Sequence, residues 1–139
     1  MALLHERLTE QIIGAAFEVY RLLDYGYLEK VYQRAMVVEL ELRGLRVKSE
    51  PNSAVYFKGA CVGEYAADLL VEDLVVVELK VAPDLNPPDL AQLINELHTL
   101  RHEVGLLINF GRAGVKFKRA INARVNEESG NSGTPDSAR

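Results

Sequence analysis

Apolar residues at Leu8, Ile12, Ala16, Val19, Tyr20 and Leu23 recur at helical spacing and predict a helix over residues 8–23, with Thr9 as N-cap and Glu10 in the first turn. The stretch Asp24-Tyr25-Gly26-Tyr27 interrupts the pattern. A second helix is expected from Leu28 to Arg43, with a stripe of Leu28, Val31, Tyr32, Ala35, Val38, Glu39 and Leu42, stopped by Gly44 at C′. Beyond Gly44 the apolar period falls to two, the period of strands. Residues 45–50, 54–57, 61–71 and 74–80 read as strands, punctuated by Pro51, Lys58-Gly59 and Glu72-Asp73. Three prolines in residues 81–90 exclude regular structure there, until Asn86 as cap and Pro87 in the first turn open a helix striped by Leu90, Leu93, Ile94, Leu97 and Leu100. Residues 104–110 read as a strand buried on both faces, and residues 115–121 as a half-exposed final strand. From Asn126 onward almost nothing is apolar, so residues 1–125 are expected to form one domain and residues 126–139 a disordered tail.

A chain of 139 residues with 48% hydrophobic and 26% charged positions has the make-up of one ordinary globular domain. No apolar run approaches the roughly 20 residues of a membrane helix, and residues 1–10 lack a secretory pattern, so a cytoplasmic protein is expected. The single cysteine, Cys61, fits a reducing compartment. The formal charge of −4 excludes a protein that coats nucleic acid by electrostatics alone, but not one that touches it locally around a bound cation.

Asp68, Glu78 and Lys80 are out of place in such strands. Glu78 and Lys80 share one face of an otherwise apolar strand, and Asp68 is surrounded by apolar residues in the preceding run. Asp68 faces Glu78 in a register that sets Val71 against Val75, with Glu72-Asp73-Leu74 as the loop, so a three-residue loop or a bulge is expected. A two-residue loop puts the two carboxylates on opposite faces. Two carboxylates in an apolar setting repel unless a proton or cation intervenes, and oxygen ligands suit Mg²⁺. Lys80 is then placed to hold an attacking water or to meet charge on a phosphate. A Glu-x-Lys triplet also arises about once by chance in such a chain, and a structural ion pair remains the alternative.

The segment Gly26-Tyr27-Leu28-Glu29-Lys30-Val31-Tyr32 resembles the Gly-x-x-Glu-x-x-Tyr signature of the GxxExxY protein family, a branch of the PD-(D/E)xK nuclease superfamily. Residues 63–73, 75–80, 91–97 and 104–111 resemble that family's further blocks in the same order. The resemblance implies an α/β fold with a restriction-endonuclease-like αβββαβ core, here with an extra N-terminal helix and a C-terminal strand. It implies a nuclease using Mg²⁺, or Mn²⁺, in which Asp68, Glu78 and the Leu79 carbonyl hold the metal with Glu29 as a further ligand. Lys80 corresponds to the catalytic lysine, and Gln92 to the glutamine of a Gln-x-x-x-Tyr motif whose tyrosine is replaced here by Glu96. The residues alone place Glu29 at a helix dipole and Gln92 about 140° from its helix's stripe, on a solvated face.

Other features are secondary. His98 and His102 have an i, i+4 spacing that can hold zinc, without an evident third ligand. Cys61 reads as a small apolar strand residue. Arg112, Lys116, Lys118, Arg119 and Arg124 form the most basic stretch, suited to phosphates or to protecting an edge strand. The expected activity is phosphodiester hydrolysis, on DNA rather than RNA. The rivals are a non-catalytic interaction module on the same fold, and a nuclease that acts as a homodimer or with a partner protein.

Overall fold

The computed structural model describes residues 5–122, so the tail expected from Asn126 and the basic residue Arg124 lie outside the described residues. Helices α1 (Glu6–Leu23) and α2 (Glu29–Leu42) are followed by strands β1 (Val47–Ser49), β2 (Asn52–Phe57), β3 (Ala60–Ala66), β4 (Leu69–Val71) and β5 (Val75–Lys80). Helix α3 (Pro87–Leu100) then crosses to β6 (Val104–Gly111), and β7 (Gly114–Ile121) turns back beside it. The main sheet has the order β1-β4-β5-β6-β7, with β5 and β6 parallel and the other pairs antiparallel. The series α2-β1-β4-β5-α3-β6 is the expected αβββαβ core, with α1 and β7 as the expected additions and the β2–β3 hairpin as a further one.

Period-two alternation sorts the sheet into two faces. Val75, Val77 and Leu79 of β5, with Leu106, Ile108 and Phe110 of β6, pack against Ile12, Ala16, Tyr32, Met36 and Leu40 of α1 and α2. Val76 and Leu107 point the other way, onto Leu93 and Leu97 of α3. Glu78 and Lys80 follow Val76 at intervals of two and so stand on the α3 face. Strand β6 is buried along all of its length, as its unbroken apolar run requires.

Three expectations about the elements are corrected. Thr9 is not an N-cap: α1 starts one turn earlier, and the Thr9 hydroxyl donates to the Glu6 carbonyl and accepts from Arg119 Nη1. Helix α2 is rotated relative to its expected stripe. Tyr32, Gln33, Met36 and Leu40 are buried, while Leu28, Val31, Val38 and Leu42 face outward. The run 61–71 is not one strand, because the chain leaves the small β2–β3 sheet at Ala67, bends at Asp68 and enters the main sheet as β4. Cys61 is accordingly an exposed residue of β3.

The stop of α2 is as expected. The Gly44 N–H donates to Glu41 O and the Leu45 N–H to Leu40 O, the two bonds of a Schellman motif, with Gly44 at φ +82°.

Candidate active site

The β4–β5 hairpin has Val71 opposite Val75, joined through Glu72-Asp73-Leu74, with Glu72 and Asp73 both at positive φ. This is the register that brings Asp68 to Glu78. Backbone pairing ends at Leu69, and side chains continue it: the Asp68 N–H donates to Glu78 Oε1 at 3.0 Å and the Leu79 N–H to Asp68 Oδ2 at 2.6 Å. The bend itself is pinned from outside the hairpin. The Asp68 carbonyl accepts from the Glu50 N–H at 2.9 Å and from Gln33 Nε2 at 3.1 Å, so α2 holds the position of the first acid.

Burial dominates the electrostatics. The Glu78 carboxyl, 6% exposed, is pushed up to about 9, first by desolvation and then by the Asp68 and Glu96 carboxylates. Asp68 is also raised by burial, against the opposing pull of the Leu79 N–H and the Lys80 ammonium. Glu96 is completely buried on α3, and burial raises it although Gln92 Nε2 donates to its Oε2 at 3.1 Å; its Oε1 has no hydrogen-bond partner. Glu29, in the first turn of α2, is half-buried and raised by desolvation and by Asp68. These carboxylates thus act on one another through space, and Lys80 is a cation whose charge acts on all four.

The donor chemistry fits a hard divalent cation. Asp68 and Glu78 each use one oxygen on a backbone N–H and hydrogen-bond to each other through their carboxyl groups, and the oxygen-only surroundings match Mg²⁺, which retains several waters. Among the described residues no group of three His, Cys, Asp or Glu is assembled as a complete ligand set. The fit is therefore to a two-carboxylate site completed by water and substrate.

The other expected residues are distributed as follows. Lys80 lies 3.8 Å from Asp89 Oδ1 at the first turn of α3, both side chains about one quarter exposed. Gln92 is exposed and its amide serves Glu96 rather than Lys80. Lys116 and Lys118 of β7 stand opposite Asn109 and Leu107 of β6, which stand beside Lys80 and Glu78 of β5. All six share the α3 face, so the two lysines lie two strands, or roughly 10 Å, from the acids. Lys116 also pairs with Asp84 at 3.1 Å. Arg119 is on the opposite face, bonded to Thr9, and Arg112 sits over the Tyr25 ring, 5.5 Å from its centre. The basic stretch is thereby split between two faces. His102 follows α3, which ends at Leu100 with Arg101 in the left-handed region, so the two histidines do not share a helix face.

Sequence reasoning missed three supporting residues. Asp89 holds Lys80, and its signal was an acid at the third position of a helix that follows the Glu-x-Lys strand. Gln33 holds Asp68. Asn109, fully buried, clamps the loop after Lys80, its Oδ1 accepting from the Ala82 N–H and its Nδ2 donating to the Ala82 carbonyl. An asparagine inside a run of seven apolar or glycine residues was the visible sign of that clamp.

A family model described as the PD-(D/E)XK nuclease superfamily matches residues 6–120. No curated protein sequence matches the chain significantly. Among solved structures, the protein titled SSO0001 superposes with a TM-score of 0.55 at 14% identity, over 72% of this chain and 56% of the other. The chain therefore spans little more than half the length of that protein, and the likeness shows a shared fold. An alkaline exonuclease from Laribacter hongkongensis superposes with a TM-score of 0.46 at 12% identity, over 88% of this chain and 89% of the other.

Proposed function

Because the chain belongs to the PD-(D/E)XK nuclease superfamily, we propose that it is a metal-dependent nuclease that hydrolyses phosphodiester bonds, with DNA as substrate. The observation that carries this reading is the reciprocal lock between Asp68 and Glu78. It fixes two carboxylates side by side at the end of a central strand, where their charges cost stability unless a cation offsets them.

Asp68, Glu78 and the Leu79 carbonyl would hold Mg²⁺ or Mn²⁺, with Glu29 acting through water. The cation supplies positive charge to the oxygens of the scissile phosphate and to the attacking water. Lys80, on the same face as Glu78, donates to that water and meets the charge that grows on the phosphate. Asp89 keeps the lysine chain extended toward the acids instead of into solvent. Gln92 orients Lys80 indirectly, by holding the Glu96 carboxyl whose charge acts on it. Lys116 and Lys118 contact the backbone of the strand on either side of the cut, at a spacing suited to successive phosphates.

The test is cleavage of single- and double-stranded DNA with Mg²⁺ or Mn²⁺, beside Asp68→Ala and Lys80→Ala proteins. Cation-dependent cleavage is expected from the wild type, with a loss of at least about 100-fold in either variant. Unimpaired cleavage by either variant overturns the mechanism. A second reading, a non-catalytic module on the same fold, is favoured by the fact that the two carboxylates already accept from backbone N–H groups, Glu78 from that of Asp68 and Asp68 from that of Leu79. It predicts no cleavage and no change in melting temperature with either cation.

A further inference from the structure

Helix α2 is apolar on two sides. Its inner face buries Tyr32, Gln33, Met36 and Leu40 against the sheet. On the outer side Leu28, Val31, Ala35, Val38 and Leu42 follow one another at intervals of three, four, three and four residues, Leu28 just before the first turn and Ala35 partly buried at the edge of the row against the core. That is the a/d seam of a two-helix coiled coil, narrower than the broad stripe of a helix that packs on a sheet. Leu28, Val38 and Leu42 are 80%, 59% and 78% exposed.

The charges beside the seam select the partner. Arg34 and Glu41 occupy the same flanking position one heptad apart, and neither forms an ion pair among the described residues. If a second α2 lies antiparallel, with position 35 against 38 and position 31 against 42, Arg34 of each copy falls beside Glu41 of the other. The two-fold axis makes this pair twice. A parallel arrangement would direct Arg34 to Glu39, whose carboxylate is already bound to Arg43 at 2.8 Å. Antiparallel packing also opposes the two helix dipoles.

We propose that the outer face of α2 is a self-association surface, on which two copies of this chain pair antiparallel about a two-fold axis. The pairing is independent of whether the chain is a nuclease. A seam of this length lies at the small end of stable interfaces, so the pairing is reversible and concentration-dependent.

The experiment is sedimentation velocity of the full chain from about 1 to 200 μM. The wild type should shift from monomer to dimer as concentration rises. Val38→Lys should leave a monomer with an unchanged circular dichroism spectrum, since that side chain is exposed. Arg34→Glu and Glu41→Arg should each raise the dissociation constant about tenfold by placing like charges together, and the double variant should restore it. A wild type that stays monomeric throughout overturns the proposal and leaves the seam to a helix of another protein. A dimer that ignores the single charge reversals, or a double variant that fails to recover, overturns the antiparallel pairing.

Discussion

Glu78 is shielded by apolar neighbours on its own strand and touches solvent through only 6% of its surface, yet its Oε1 is required by the Asp68 N–H. Glutamine keeps that acceptor and removes the ionisation. In the metal-free protein at pH 8, Glu78→Gln should therefore melt about 3–10 °C above the wild type, because the cost of keeping a raised carboxyl protonated disappears. With millimolar Mg²⁺ or Mn²⁺ the wild type should gain stability and the variant should not. A variant that melts below the wild type without cation, measured by calorimetry, would contradict this account of the site. The meeting of Asp68 and Glu78 was legible in the sequence because face and register in a hairpin are discrete: only the Glu72-Asp73-Leu74 loop lets both carboxylates share a side. The burial of Glu96 was not legible in that way. It adjoins the Leu93–Leu97 stripe, and a helix has no two-valued parity to say whether an edge position is covered.

Among the elements, α2 shows how an apolar pattern can be read on the wrong face. Its outer seam of Leu28, Val31, Ala35, Val38 and Leu42 is more regularly apolar than the face it buries, which contains Gln33. That glutamine is inside because the Asp68 carbonyl needs a donor, a demand set 35 residues away and invisible to periodicity. The break at Ala67 was hidden for a related reason, since the apolar run passes through it without a glycine or proline. Helix α3, in contrast, was legible from its proline-rich start to its leucine stripe. Its seat on the sheet depends on Gly105 of β6, where an added Cβ would lie 3.0 Å from Leu93 Cδ1 and 3.2 Å from Leu97 Cδ2. Gly105→Ala is expected to cost about 1–3 kcal/mol in urea unfolding by lifting α3 from the sheet. Because α3 carries Asp89, Gln92 and Glu96, the same variant should lose cleavage at temperatures where it remains folded. Full activity together with unchanged stability would show that the contact relaxes without moving the helix.

At the scale of the molecule, the titration of the mutually interacting buried acids sets how stability responds to pH. Glu78, Asp68, Glu29 and Glu96 are all raised above their ordinary values, chiefly by burial. A carboxyl raised in the folded state contributes stability that is complete below its unfolded value, and that is lost as pH rises toward the folded one, about 9 for Glu78. Glu18, Glu50, Glu72 and Asp84 are lowered by exposed partners and act in the opposite sense, losing their contribution only as pH falls below the carboxylate range. These surface pairs are screened by salt and count for less. His102, lowered by burial, favours the fold as pH rises through its unfolded value near 6.5 and adds nothing further above it. The melting temperature of the metal-free protein should therefore peak near pH 6 and decline toward pH 9. A divalent cation binds the ionised carboxylates, so the gap between curves recorded with and without Mn²⁺ should widen steadily over that interval. Parallel curves would mean that the cation does not meet these acids. A metal-free protein most stable at pH 9 would mean that the four carboxylates are already compensated within the fold, which would remove the physical reason for a metal at the end of β5.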